Sequence, residues 1–142
     1  MRVFVDTSAL FAVLVENDAM AVRAGNTFRA LLERNAEFHT TSYVLLETEA
    51  LLQARVSLAS ARRFHHEFAP LLRIRWIDEM LHDRAFRRLE LRNRRDISLV
   101  DSASFVFMED AGITPAFAYD QHFAAEGFLP LRVPADLDNL PA

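Results

Sequence analysis

With 142 residues, 51% of them hydrophobic, the chain is long enough to bury a full core within one domain spanning 1–142 and too apolar to be disordered. It has no cysteine, which excludes a disulfide framework and a thiolate metal site and fits a cytoplasmic protein. All 16 basic residues are arginine and the formal net charge is −4, so lysine chemistry is excluded, and any grip on nucleic acid must come from a local basic patch or a bound cation.

Arg2–Asp6 is a short β-branched and aromatic run and predicts a buried strand. The apolar stretch after it, Ala9–Val15, is far short of the roughly 20 residues that span a bilayer. Asp6 before it and Glu16 and Asp18 behind it favour a strand followed by a helix over a secretory signal. Helical patterns cover Ser8–Val15 and Ala19–Arg34, and Glu37–Thr40 is a second, weaker strand. Thr41 or Ser42 can cap a helix reaching Arg55, and Ser60 opens another toward Leu72. Arg73–Ile77 reads as a third strand. Asp78 caps a helix to about Asn93, and Ser98 caps one that stops near Gly112. Phe117–Tyr119 forms the core of a fourth strand ending at Asp120, and Leu129–Val133 a fifth. The tail from Pro134 to Ala142 is polar and proline-bounded and is expected to pack loosely. Strands separated by helices imply an α/β fold with a mostly parallel sheet covered on both faces.

Two aspartates follow apolar strands directly, Asp6 after Arg-Val-Phe-Val and Asp120 after Ala-Phe-Ala-Tyr. Ligands of open α/β sheets bind outside the carboxyl ends of the strands, so both acids fall on the functional edge, although either could simply cap the next helix or turn. Glu47 and Glu49 point in nearly opposite directions on a helix. Tyr43, Val44, Leu51 and Ala54 cluster around Glu47, which places it on the buried stripe and Glu49 on the wet face. A buried carboxylate needs an arginine or a metal. Asp101, three residues after Ser98, fits a capping box, yet Ser104, Phe105 and Met108 surround it with apolar helix surface. A cap and a metal site are compatible, because a cap also fixes the carboxylate's direction. Four carboxylates at close range repel and would force protons onto some of them. Mg²⁺ or Mn²⁺ removes that cost, suits hard oxygen ligands, and can activate water and offset charge on a phosphate.

Four segments, Asp6-Thr7-Ser8-Ala9-Leu10, Thr41–Glu47, Ile97-Ser98-Leu99-Val100-Asp101 and Phe117–Phe123 continuing to Gly127-Phe128, resemble the PIN-domain ribonucleases, above all the VapC-type toxins of type II toxin–antitoxin pairs. Their order runs from Val3 to Phe128. The resemblance implies a three-layer α/β/α fold with a central parallel sheet of four or five strands. It implies that Asp6, Glu47, Asp101 and Asp120 bind Mg²⁺ or Mn²⁺ and support RNA hydrolysis, with the hydroxyls of Thr7 and Ser98 beside them. It also implies a cognate antitoxin partner and a homodimer, for which the helices over Ser8–Val15 and Ala19–Arg34 offer apolar surface. The stretch Val56–Arg95 carries little of the resemblance.

Arg84, Arg87, Arg88, Arg92, Arg94 and Arg95 crowd one predicted helix and its exit. They could grip RNA phosphates or pair with Asp83, Glu90 and Asp96; Arg94 and Arg95, just before Ser98, are the better RNA candidates. His65 and His66 diverge on a helix and are poor co-ligands, and His122 suits a turn or packing role better than the site. A haloacid-dehalogenase-like phosphatase or a response-regulator receiver would need a lysine. An integrin-like Asp-x-Ser-x-Ser motif fails at Leu10. A PIN-fold RNA- or protein-binding module without nuclease activity is the remaining alternative, and the complete set of four carboxylates argues against it.

Overall fold

The computed structural model describes residues 1–140. Strand β1 (Arg2–Val5) has Val3, Phe4 and Val5 fully buried, as a strand covered on both faces requires. Asp6 caps α1 (Thr7–Leu14), and α2 (Ala21–Glu33) follows. After β2 (Glu37–Thr41), the Thr41 hydroxyl accepts from the Val44 amide at 3.3 Å and starts α3 (Ser42–Arg55). A short α4 (Leu58–Arg63) leads to β3 (Leu72–Arg75). Asp78 caps α5 (Glu79–Arg92), which Asn93 ends in the left-handed region. Ser98 caps α6 (Leu99–Ala111), and Gly112, at φ 68°, supplies the left-handed residue that ends it. Strand β4 (Pro115–Phe117), α7 (His122–Ala125) and β5 (Leu129–Leu131) complete the alternation.

The five strands pair in the order β3-β2-β1-β4-β5, every pair parallel, with helices on both faces: a three-layer α/β/α fold. The chain builds outward from β1 to β3, then returns to the other side of β1 for β4 and β5. The reversal puts a crevice at the carboxyl ends of β1 and β4, where open sheets bind ligands. Phe4 packs against Phe107 and Phe123, and Phe123 against Phe105 and Phe128, so the aromatic core lies beneath that crevice's strands. Burying each such ring stabilises the fold by about 1.5–3 kcal/mol.

Four expectations are corrected. The helix expected from Ser60 to Leu72 is capped by Ser57 instead, and after Arg63 it loosens into a π turn (Phe64–Phe68) and a 3₁₀ turn (Ala69–Leu71). Pro70 lacks the amide an α-helix would need there. Strand β3 starts and stops earlier than Arg73–Ile77, because the Ile77 amide leaves the ladder to donate to the Ser42 hydroxyl at 2.9 Å. Strand β4 is likewise Pro115–Phe117 rather than Phe117–Tyr119: the Tyr119 amide donates to the Ser8 hydroxyl at 2.9 Å. The tail is not loose over Pro134–Asn139, a 3₁₀ helix with Leu137 buried and Arg34 donating to the Leu137 carbonyl at 2.8 Å. Its last two residues, Pro141 and Ala142, lie outside the described residues.

Candidate active site

Asp6 sits where β1 turns into α1, and that turn fixes its carboxylate. Oδ2 accepts from the Ser8 amide at 3.2 Å and from the Ser8 hydroxyl at 2.6 Å. The same hydroxyl accepts from the Tyr119 amide, so Ser8 ties the ends of β1 and β4 together. The other oxygen, Oδ1, is buried without a hydrogen-bond partner. Burial pushes the Asp6 carboxyl up to about 7 against the opposing pull of Ser8, and the charges of Asp101 and Asp120 add to the rise.

Asp101 is the third residue of α6. Its amide donates to the Ser98 hydroxyl at 3.0 Å, while its Oδ2 accepts from the Ser98 amide at 3.3 Å, which makes a reciprocal capping box. Burial, then the neighbouring charge of Asp120, raises it to about 6, and Glu47 contributes a smaller push. Asp120 lies three residues after the end of β4, and its Oδ1 takes two donors from His122: the amide at 2.8 Å and ring Nδ1 at 2.6 Å.

A single pattern runs through the three aspartates. Each has one oxygen held by a donor two or three residues away, and the second oxygen takes no hydrogen bond among the described residues. Donor atoms of Asp101, Asp120 and His122 lie within 4.8 Å of one another. Free carboxylate oxygens, one of them buried and orphaned, together with the raised protonation of Asp6 and Asp101, are what a hard divalent cation relieves; the donor set fits Mg²⁺ or Mn²⁺.

Glu47, on α3, is close enough for its charge to act on Asp101 but is not among the donors gathered within 4.8 Å of one another. Its expected burial is corrected, and so is the contrast with Glu49. The buried face of α3 is Val44, Leu45, Thr48 and Leu52, while Ala54 is exposed, so Glu47 and Glu49 both lie half-buried at its margins. Glu49 accepts from His65 Nδ1 at 2.8 Å. The Thr7 hydroxyl, buried, donates to the Val44 carbonyl at 3.5 Å and accepts from the Thr48 hydroxyl at 3.2 Å, joining α1 to α3. Arg94 forks both oxygens of Asp96, at 3.0 and 2.5 Å, while Arg95 is exposed.

Sequence reasoning gave Ser8 no role of its own, read Asp96 only as an arginine partner and preferred a turn or packing role for His122. The ring of His122 is buried and bridges two carboxylates, Nδ1 to Asp120 and Nε2 to Asp96 at 3.2 Å. The signal available for both Ser8 and His122 was their place two residues after a strand-end aspartate, the spacing at which such a carboxylate accepts bonds.

Residues 3–129 match the PIN domain family. Two proteins named 23S rRNA-specific endonuclease VapC20, from the CDC 1551 / Oshkosh and ATCC 25618 / H37Rv strains of Mycobacterium tuberculosis, are each 31% identical to the chain over 131 residues. The match covers 92% of this chain and 98% of theirs. The crystal structure of Mycobacterium tuberculosis VapC20, described as a sarcin-ricin loop cleaving toxin, superposes with a TM-score of 0.81 at 30% identity, again over 92% of this chain and 98% of that one.

Proposed function

This chain belongs to the PIN-domain family, in its VapC-type branch, and we propose on that premise that it is a metal-dependent endoribonuclease toxin that cleaves large-subunit ribosomal RNA. The observation that carries the metal-dependent reading is the state of Asp6: buried, with Oδ1 unpartnered and its carboxyl pushed up to about 7 beside two further acids. An orphaned buried carboxylate oxygen is costly unless a cation takes it.

Asp6, Asp101 and Asp120 would hold Mg²⁺ or Mn²⁺, with Glu47 completing the set. The ion supplies activation of water and neutralisation of charge on the phosphodiester. Ser8, Ser98 and His122 keep the three carboxylates from turning, so the acids meet the substrate already oriented. Glu47, half-buried at the margin, orients the attacking water. Arg95, exposed just before the Ser98 turn, meets a backbone phosphate, while Arg94 is already engaged by Asp96. In-line attack by water leaves a 5′-phosphate and a 3′-hydroxyl. Attack by the RNA's own 2′-hydroxyl would need an acid–base pair, commonly two histidines. His65 is paired with Glu49 and His122 is held between two carboxylates, which leaves both engaged elsewhere.

Incubating the purified protein with 23S rRNA and Mg²⁺ tests the reading. Cleavage at few sites, with 5′-phosphate ends, is expected; chelator or Asp6→Asn should abolish it. Cyclic-phosphate ends, or full activity in chelator, would sink it. The family membership also supports a cognate antitoxin, a homodimer and a cytoplasmic site of action. No helix of the described residues is long and apolar enough to cross a membrane. For the dimer, α1 turns Ala9, Leu10 and Ala12 inward, and the more exposed apolar side chains include Leu46, Trp76 and Met80. Sedimentation of the parent and of Trp76→Glu would show whether a dimer forms and whether that surface holds it.

A further inference from the structure

We propose that His122 is a positioning residue for Asp120, anchored from behind by Asp96, and is not itself a cation ligand. The inference rests on the metal-binding reading above. His122 opens α7 and is only 8% exposed, so the orientation of its ring is fixed by packing as well as by polar contacts. Both ring nitrogens are engaged: Nδ1 with Asp120 Oδ1 at 2.6 Å and Nε2 with Asp96 Oδ2 at 3.2 Å. A nitrogen that donates a hydrogen bond has no lone pair for a cation. Ligation through Nδ1 would strip Asp120 of a donor, and ligation through Nε2 would break the contact with Asp96.

The chain around the ring is arranged to hold it still. Asp96 lies between α5 and α6, and Arg94 grips both of its oxygens. That short segment therefore ends in two anchors, Asp96 for His122 and Ser98 for Asp101. Asp120 Oδ1 is saturated by the amide and the ring of one residue, and Oδ2 takes no hydrogen bond among the described residues. Groups that orient a metal-binding carboxylate commonly change metal affinity by about 10–100-fold when removed.

Asparagine and glutamine separate the two nitrogens. In His122→Asn the shorter side-chain amide would place a donor near Nδ1, within reach of Asp120; in His122→Gln the longer one would place it near Nε2, within reach of Asp96. Mn²⁺ titration, read from the paramagnetic signal of the free ion, should give His122→Asn an affinity within about threefold of the parent, and His122→Gln one weakened about tenfold or more. Asp96→Ala, a change at an exposed side chain, should weaken Mn²⁺ about threefold to tenfold while the protein still melts cooperatively in chelator. Equal losses in the asparagine and glutamine variants would overturn the proposal in favour of a ligand or packing role. Parent-like Mn²⁺ binding in Asp96→Ala would also overturn the anchor, and that variant stands as a test even if His122→Gln fails to fold. A parent protein that binds no Mn²⁺ fails the metal-binding reading as well, and so is distinguishable from failure of the positioning role alone.

Discussion

Asp6 shows how one side chain can oppose the fold it terminates. Its carboxyl is raised to about 7 and that of Asp101 to about 6, both above their unfolded values near 3.8. The folded state therefore binds protons more tightly than the unfolded one, and the stability this gives is present at low pH and lost as pH rises through 6 and 7. His122 acts in the same direction: burial presses its pKa down, but hydrogen bonds to Asp96 and Asp120 outweigh that and hold it raised. In chelator, the melting temperature should fall between pH 5 and pH 8, and Mg²⁺ should flatten that slope. A slope of the opposite sign would contradict the assignment. Asp96 and Glu126, both lowered to about 2 by arginine partners, act in a separate window, losing their contribution as pH falls from about 4 toward 2. Asp6→Asn removes the charge but keeps the shape. It should melt higher than the parent at pH 8 in chelator, yet cleave RNA at least about 100-fold more slowly. The placement of Asp6 at a strand end and of Asp101 at a helix start was legible in the sequence, because such ends announce themselves. The half-burial of Glu47 was not, since Leu51 and Ala54 suggested a stripe that the sheet beneath α3 does not use.

At the scale of elements, the capped helix starts were the most readable feature. Thr41, Asp78 and Ser98 all accept the expected amide. Ser98→Ala should cost about 1 kcal/mol in a denaturant titration, the ordinary loss for such a cap. It should also lower kcat more than it raises KM, because the capping box aims Asp101 at the site. Equal stability with normal kcat would show that the box is ornamental. What the sequence concealed lies where a side chain diverts the backbone. Ser42 takes the Ile77 amide and Ser8 that of Tyr119, each cutting a strand short. Local apolar pattern cannot register a bond between residues 35 or 111 positions apart. The loosened π and 3₁₀ turns after Arg63 escaped for a plainer reason: Pro70 breaks the helix, but nothing local marks Phe64–Phe68 as the place where it widens.

Across the whole molecule, the arginine-rich helix proves to be mostly a clasp. Arg88 and Arg92 both donate to Glu126, Arg88 also to Glu109, and Arg84 forks Asp110, so α5 is tied to α6 and to the turn after α7. Six arginines in one stretch admit either RNA binding or ion pairing from sequence alone, since the acids that answer them lie up to 38 positions away. The pairs are unequal. Glu126 and Arg88 keep only 9% and 14% of their side chains exposed, and Arg88 lies over the Phe105 ring at 5.4 Å. Removing Glu126 leaves a shielded guanidinium short of its partner, so Glu126→Ala should cost about 3 kcal/mol. Glu109→Ala, at a wetter contact, should change stability by less than about 1 kcal/mol. Chemical denaturation of the two variants side by side would check the ranking, and equal effects would mean that solvent reaches both.

The return of the chain to the far side of β1 has a consequence in time as well as in space. Strand β1 is synthesised first but cannot pair on its second edge until β4 exists, and Asp6 meets Asp120 only at that moment. At roughly 5–20 residues per second, the roughly 110 residues between those two acids take on the order of 6 to 20 s to emerge. Through that interval the nascent chain holds Asp6, then Glu47, then Asp101, but never the complete set. The order of the strands therefore makes the gathering of these acids one of the last events of synthesis.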